Sequence, residues 1–280
     1  MMNGNVRRAI VASLCAVGGL ALATDLPAAA GPDSVEIDAI YKVALNDFEI
    51  GTFSFKSDVG AKAYSAETDV RISFAGLVGW RGQTKTQGQL DGKAPSPAVY
   101  QFNFESPAKS GSVAMNFKDR KVTGLTILPE EPLPPGTLPL TAEHIKGVAD
   151  PLSAVLSLVR TEGTNPCDRK VSIFDGKQRF DLVLSYRKQV AITETHPSGQ
   201  PSEGVICKVK YVPIAGYRET EELRALARNN NISITFRPIP SAGLMVPHAV
   251  VIPTVAGDAV LTSSRVNIKA PNQGQIALIN

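Results

Sequence analysis

Most of the chain alternates apolar and polar residues with a period of two, which is typical of β-strands. The first run places six apolar residues on one face: Val35, Ile37, Ala39, Tyr41, Val43 and Leu45. Asn46-Asp47 then supplies a turn and residues 48–55 run back, so the pattern predicts a hairpin. Residues 64–74 alternate apolar with charged or hydroxyl side chains, which indicates a strand with one buried and one solvated face.

The same alternation predicts strands at 99–104, 112–117, 122–128, 180–186, 205–211, 232–236, 248–254 and 259–268. Asp175-Gly176 favours a tight hairpin turn between 171–173 and 180–186. Residues 74–92 carry several glycines and the single tryptophan, Trp80. Because glycine permits sharp bends and close approach to the backbone, we interpret Trp80 either as a cap on a curved sheet, which we favour, or as part of a ligand mouth.

Two short helices interrupt the strands. Asp150 is a predicted N-cap before a proline, and apolar residues recur with helical spacing up to Val159. A second helix is predicted to be capped by Thr220 and to end at Arg228. The fold class is therefore mainly β, with a large curved antiparallel sheet or open half-barrel and one or two short helices.

Five prolines fall in residues 129–140, which favours a stiff, extended segment. It is either a sub-boundary between two β domains or a strap across one sheet. We favour the strap, and hence a single domain over 31–269. A short helical turn is expected at 141–146, and the polar residues 270–280 predict a flexible tail.

Residues 1–30 have the layout of a cleaved signal peptide, with Arg7 and Arg8 before an apolar run and three alanines at 28–30. This predicts a periplasmic protein. Cys167 and Cys207 are the cysteines that remain after cleavage, and each lies on or beside an alternating run. In an oxidising compartment they are expected to form a disulfide that links strands. A redox role is disfavoured because the chain has no C-x-x-C motif.

Composition excludes several classes of protein. The chain has 29 basic and 26 acidic residues and a formal net charge of +3, which is too balanced to argue for nucleic-acid binding. After the leader, no stretch approaches the eighteen apolar residues of a membrane-spanning helix, so the protein is not expected to be an integral membrane protein.

Three motifs carry a resemblance to a known family: NPCDRKVSIFDGKQRFDL, CKVKYVPIAGY and DPLSAVLSLV. They resemble the exported bacterial proteins called domain of unknown function 3108, over about Ile40 to about Ile268. The resemblance implies a periplasmic, mainly β protein with no assigned reaction. A looser similarity, of architecture alone, is to the periplasmic lipoprotein carriers, whose curved sheet forms an open half-barrel covered by helices.

Catalytic signatures are missing from the sequence. It contains no G-x-S-x-G elbow, no P-loop and no dinucleotide fingerprint, and its histidines, His144, His196 and His248, are isolated. We therefore expect neither an enzyme nor a bound metal or cofactor. The best polar candidate for a site is a cluster near the Asp175-Gly176 turn, which we otherwise interpret as an ion-paired hairpin surface: Asp168, Arg169, Asp175, Arg179 and Asp181.

The favoured function is a non-catalytic binder of a lipid or other hydrophobic molecule on the apolar inner face of the sheet. The residues predicted for that face are Tyr41, Val43, Phe53, Val70, Ile72, Trp80, Phe102, Phe104, Phe117, Phe180 and Leu182. The alternative is a structural or interaction protein of the cell envelope without a small ligand. An envelope enzyme acting on glycan or peptide is the third and weakest hypothesis.

Overall fold

The computed structural model describes residues 33–74, 77–92, 94–160, 165–271 and 273–280. The predicted signal peptide therefore lies outside the described residues. No helix in these ranges is both long enough and apolar enough to cross a membrane.

Fourteen antiparallel strands form one sheet that is not closed by strand pairing. Their order is β7-β6-β5-β4-β3-β2-β1-β13-β12-β11-β10-β9-β8, and β14 pairs with β13. The strands are β1 Val35–Leu45, β2 Phe48–Val59, β3 Ala63–Phe74, β4 Leu77–Asp91, β5 Ala94–Glu105, β6 Ser110–Lys118, β7 Lys121–Leu128, β8 Arg169–Phe174, β9 Arg179–Ala191, β10 Glu203–Ala215, β11 Ser233–Ile239, β12 Leu244–Thr254, β13 Gly257–Lys269 and β14 Ile276–Ile279. The helices are α1 Pro151–Val159 and α2 Glu221–Arg228. The mainly β prediction is confirmed.

The β1–β2 hairpin forms as the alternation predicts. Asn46 and Asp47 both have positive φ, 48° and 67°, the left-handed backbone that a two-residue hairpin turn needs. Tyr41 then pairs with Phe53, and their rings meet edge to face at 5.7 Å.

Two halves of the chain meet where β1 pairs with β13. Ile37 lies opposite Ile268 and Val43 opposite Leu261, so both strands present their apolar side chains to the same, inner face. This pairing makes a single sheet from strands that are more than two hundred residues apart in sequence.

The sheet curves so that its two end strands approach each other without pairing directly. Residues 145–149 lie between them: Val122 N donates to Ile145 O at 3.1 Å, and Ala149 N donates to Ser172 O at 2.9 Å. Phe174 of β8 is fully buried in one apolar cluster with Val113 and other residues of β5–β7. The fold is therefore an open half-barrel whose two ends are joined by packing and by one intervening segment.

Helix α1 fills part of the interior. Its residues Leu152, Leu156 and Val159 join the central apolar cluster with Ile37 and Tyr64 of the inner face. Asp150 caps the helix, as predicted, by accepting hydrogen bonds from the amides of Leu152 and Ser153.

The cap of α1 is anchored to the sheet by a buried polar network. Thr86 of β4 donates to Asp150 Oδ2 at 3.0 Å, and Tyr64 and Ser153 share a hydrogen bond of 2.6 Å. Burial raises the pKa of Asp150, although hydrogen bonds from Ser153 and Thr86 act in the opposite direction. Because every member of this network has a partner, it fixes where the helix lies inside the sheet.

The disulfide between Cys167 and Cys207 is present, with Cα atoms 5.5 Å apart. Both cysteines are buried in an apolar cluster that also contains Leu158 of α1 and Leu184 of β9. The bridge therefore connects the segment after α1 to the inner face of β10.

Two local features differ from the sequence expectations. The glycine-rich segment, for which no strand was predicted, forms β4, a strand of fifteen residues whose pairing with β3 is irregular beside Trp80. Residues 276–279 of the predicted flexible tail form β14, because Ile276 and Leu278 insert buried apolar side chains into the central cluster. The expected helical turn at 141–146 is present as two successive turns, in which His144 N donates to Thr141 O at 3.1 Å and Lys146 N donates to Glu143 O at 3.3 Å.

The proline-rich segment runs beside the loop that follows β10. Leu138 N donates to Tyr217 O, and Gly216 N donates to Leu138 O, each at 2.8 Å. The division of the chain into domains stays a prediction, although the single sheet is continuous from β7 to β8.

A buried arginine, Arg237 of β11, holds the loop between β9 and β10. Its side chain is 1% exposed and pairs with Glu194 Oε1 at 2.5 Å. Its Nε donates to Pro201 O at 2.9 Å, and its Nη2 donates to Ser198 Oγ at 3.1 Å. All three nitrogens thus have partners inside the protein, as a buried guanidinium requires.

Acid should weaken this part of the structure. The hydrogen bond from Arg237 lowers the pKa of Glu194 to about 2, whereas an unfolded glutamate titrates near 4.3, as is usual for the free side chain. A depressed carboxyl pKa stabilises the folded state above the unfolded pKa, and this contribution is lost as pH falls from about 4.5 to about 2. Urea unfolding across that range should show a steeper pH dependence for the natural protein than for Glu194→Gln; equal slopes would contradict the assignment.

Candidate functional site

A strip of half-buried apolar side chains crosses the inner face of β2–β5. We call it the aromatic strip, and its members are Phe53, Val70, Ile72, Trp80, Phe102 and Phe104. Strand register places them together: Phe53 pairs with Val70, and Ile72 pairs with Trp80. Six residues of the predicted ligand face are thus adjacent to one another and partly exposed.

Glycines flatten this strip. A Cβ on Gly82 would lie 2.2 Å from the Trp80 ring, and a Cβ on Gly111 would lie 2.6 Å from the Phe104 ring. The two rings therefore lie across bare backbone, where a larger residue would lift them. Phe102 lies between them, with ring centroids 6.3 Å from Trp80 and 5.9 Å from Phe104. The result is a shallow aromatic surface.

The other predicted face residues are not part of the exposed strip. Tyr41, Val43 and Phe117 are buried in the protein's own interior, and burial raises the pKa of Tyr41. Phe180 and Leu182 lie on β9, where the Phe180 ring packs against Tyr211 at 5.1 Å. The predicted face is therefore divided between a packed core and the aromatic strip.

Two cavities open toward the polar, outer side. One, of about 590 Å³, is lined by alternating charges that pair across neighbouring strands, such as Lys56 with Asp38 and Lys85 with Glu67. These ion pairs are 3.9 and 3.7 Å long and well exposed, so each contributes little stability. A second cavity, of about 450 Å³, borders Phe104, Gly111 and Leu128.

The predicted polar cluster separates into local structures. Arg179 and Asp181 do pair, at 2.6 Å, and Lys170 of β8 joins them at 2.9 Å. Burial alone would raise the pKa of Asp181, but hydrogen bonds from Lys170, Arg179 and Ser172 hold it below its usual range.

The remaining members of that cluster act in turns and at a helix end. Asp175 accepts the amides of Lys177 and Gln178 in its hairpin turn, and Asp168 accepts the side-chain amide of Asn165. Arg169 donates to Ser157 O at 3.1 Å, at the last turn of α1. The five residues therefore do not converge on one cleft.

One serine–histidine contact was not foreseen from the sequence. Ser263 Oγ lies 3.2 Å from His248 Nδ1, and Asn280 donates to the same oxygen at 2.8 Å. Burial lowers the pKa of His248, and the charge of Arg237 lowers it further. Ser263 is only 3% exposed, so a substrate has little access to its hydroxyl. Within the described ranges, no three His, Cys, Asp or Glu side chains are grouped as metal ligands.

Comparison with known proteins gives a family without an assigned activity. The sequence model described as "Protein of unknown function (DUF3108)" matches residues 40–262. No curated protein matches the chain. A solved structure, the beta-barrel-like protein of domain of unknown function DUF1849 from Brucella abortus, is 12% identical, with a TM-score of 0.48, and the alignment covers 84% of this chain and 98% of that one.

Proposed function

We propose that this chain, which belongs to the DUF3108 family of unknown function, is a non-catalytic binder of a lipid or other hydrophobic molecule. The observation that carries the proposal is the aromatic strip: four rings and two aliphatic side chains left half-exposed on the inner face of a half-barrel. Apolar surface of this kind binds a ligand because covering it removes it from water.

The strip is supported from beneath, which keeps it in place. Phe53 packs against the central cluster to which α1 contributes, and Phe102 packs against the cluster around Phe174. A rigid, preformed surface loses little conformational entropy when a ligand binds. The surface would therefore already be ordered before a hydrophobic molecule binds to it.

We place this function in the periplasm. The proposal rests on the signal-like residues 1–30 and on a disulfide, which persists in an oxidising compartment. Fractionation of cells expressing the full chain should recover the protein in the periplasmic extract with an oxidised bridge. Recovery of a reduced protein in the cytoplasm would refute the assignment.

A charge in the aromatic strip should weaken binding strongly. We expect Ile72→Asp to weaken binding of the neutral dye N-phenyl-1-naphthylamine at least tenfold, about 1.4 kcal/mol, because the carboxylate must lose water when the ligand covers it. Trp80 is the only tryptophan, so its fluorescence reports the titration.

The matched control is Thr52→Asp. Thr52 is exposed on the opposite face of the neighbouring strand β2, one residue along from Gly51, which pairs with Ile72. It should bind the dye like the natural protein. Equal binding by both variants, or no binding by the natural protein, would remove the basis for the proposal.

A second candidate, an envelope interaction protein, is favoured by a separate observation. Leu125, Leu128, Leu133 and Leu138 are exposed along the outer edge of β7 and the proline-rich segment that follows. Exposed apolar side chains beside a strand edge are a feature of surfaces that add a partner's strand. Photo-crosslinking from position 126 in intact cells should then give a discrete, reproducible adduct, and its absence would count against this function.

A further inference from the structure

Arg160, the residue that ends α1, is the unusual charge inside the half-barrel. Its amide donates to Leu156 O at 3.1 Å, so the backbone completes the helix. Leu158 and Val159, just before it, are buried in different apolar clusters, one around the disulfide and one at the centre of the inner face. Arg160 therefore leaves the helix between two apolar clusters.

The guanidinium of Arg160 has little compensation for this position. Its Nε is enclosed without a hydrogen-bond partner, and the side chain forms no ion pair with any residue in the ranges the structure describes. Burial lowers its pKa, yet an arginine remains protonated in proteins. A partly buried cation without a partner is unfavourable, and such a group calls for an anion or water that completes it.

The position of Arg160 is not explained by a role in stabilising the C-terminal end of α1. A cation near a helix C-terminus interacts favourably with the carbonyl groups of the last turn. Arg169 already has this role, since its Nη1 donates to Ser157 O at 3.1 Å. Two arginines thus lie at one helix end, and among the described residues only Arg169 has a side-chain hydrogen bond there, while the Nε of Arg160 is buried without a partner.

The apolar surroundings define the rest of the ligand. Val159 belongs to the same central cluster on which Phe53 of the aromatic strip packs. We propose that the hydrophobic ligand is an anionic amphiphile, with its carboxylate or phosphate held by Arg160 and its hydrocarbon chain on the inner apolar face. A planar guanidinium fork matches either group through paired hydrogen bonds. This inference rests on the proposed function and adds the charge of the ligand to it.

The test compares ligands that share a chain but differ in charge. Titrations of Trp80 fluorescence with oleate, oleoyl lysophosphatidate and oleyl alcohol should give dissociation constants about tenfold lower for the two anions. Arg160→Gln should remove that difference and leave oleyl alcohol binding unchanged. Arg224→Gln, an exposed arginine of α2, is the matched control and should retain the preference.

The possible outcomes distinguish failure of the anionic-ligand inference from failure of the proposed hydrophobic binding. Equal affinity of the natural protein for oleate and oleyl alcohol would overturn the anionic ligand but leave a hydrophobic binder. Binding of none of the three would overturn both. A parallel loss of all three in Arg160→Gln would mean that Arg160 only shapes the fold. If inorganic phosphate displaced oleate at the same concentrations as oleoyl lysophosphatidate does, the hydrocarbon chain would contribute nothing, which would indicate a free-anion site and would also overturn the proposal.

Discussion

Glu194→Ala should destabilise the protein by about 3–5 kcal/mol, because it leaves the charge of Arg237 buried without its partner. Arg237 is 1% exposed, so water cannot replace the lost carboxylate without opening the loop that Arg237 holds. Breaking such a pair costs more than the pair contributes in the intact protein, since the remaining ion keeps its full desolvation penalty. Equilibrium urea unfolding measures the difference.

Two further variants isolate the buried charge as the cause. Glu143→Ala removes an exposed ion pair with Lys146 and should change stability by less than about 1 kcal/mol. Adding Arg237→Met to Glu194→Ala removes the unpaired ion and should restore part of the loss. A double variant that is less stable than Glu194→Ala would give the opposite result. The hydrogen bonds from Arg237 to the loop would then stabilise the protein by more than its unpaired charge destabilises it.

The sequence predicts the strands well because one face of the sheet is buried and the other solvated. Period-two alternation from Val35 to Leu45 records that contrast directly, and the Asn46-Asp47 turn adds a local conformational requirement. The two helices were predictable for a similar reason, since both caps, Asp150 and Thr220, act within three residues. Signals of this kind are local, so a single sequence contains them.

No strand was predicted at β4 because glycine has two opposite uses. Glycine can end a strand, but it can also make room for a ring from the same strand, as Gly82 does for Trp80. Only the orientation of the Trp80 side chain distinguishes these uses, and composition carries no information about it.

The candidate site was only partly predictable, for reasons of long-range placement. Alternation identified the inner face, but which part of it remains exposed depends on where α1 lies. That position is set by Thr86 and Tyr64, which contact Asp150 and Ser153 across more than sixty residues. Arg237 likewise pairs with Glu194, which is forty-three residues away in the sequence. The sequence does contain a signal for this buried pair, because Arg237 is a single arginine within the apolar run ITFRPIP.

Local backbone geometry explains why the polar cluster near Asp175 does not form one site. Its residues are close in sequence, so grouping them was reasonable, but a turn and two strand faces direct their side chains apart. Only Arg179 and Asp181, two apart on one strand, point to the same side. Sequence proximity identified an ion pair and could not identify a cleft.

Removing the disulfide should cost about 2–5 kcal/mol, which we expect as the second large effect. Cys167 and Cys207 are separated by 40 residues, and closing a loop of that length restricts the unfolded chain, worth about 4 kcal/mol in the chain-entropy model. Packing adds to this, because both sulfurs lie in the cluster that contains Leu158 of α1.

A Cys167→Ser, Cys207→Ser double variant, compared with the natural protein with and without reductant, measures the effect by urea unfolding. Ser in place of buried Cys207 also introduces a hydroxyl, so Cys167→Ala with Cys207→Ala is the matched control, and the two pairs should lose similar stability if the bridge dominates. Oleate binding should weaken in both, because both cysteines pack in one cluster with Leu158, which lies two residues before Arg160. An unchanged melting temperature under reduction would show that packing alone holds Cys167 and Cys207 in place, and the position of Arg160 would then be set by α1.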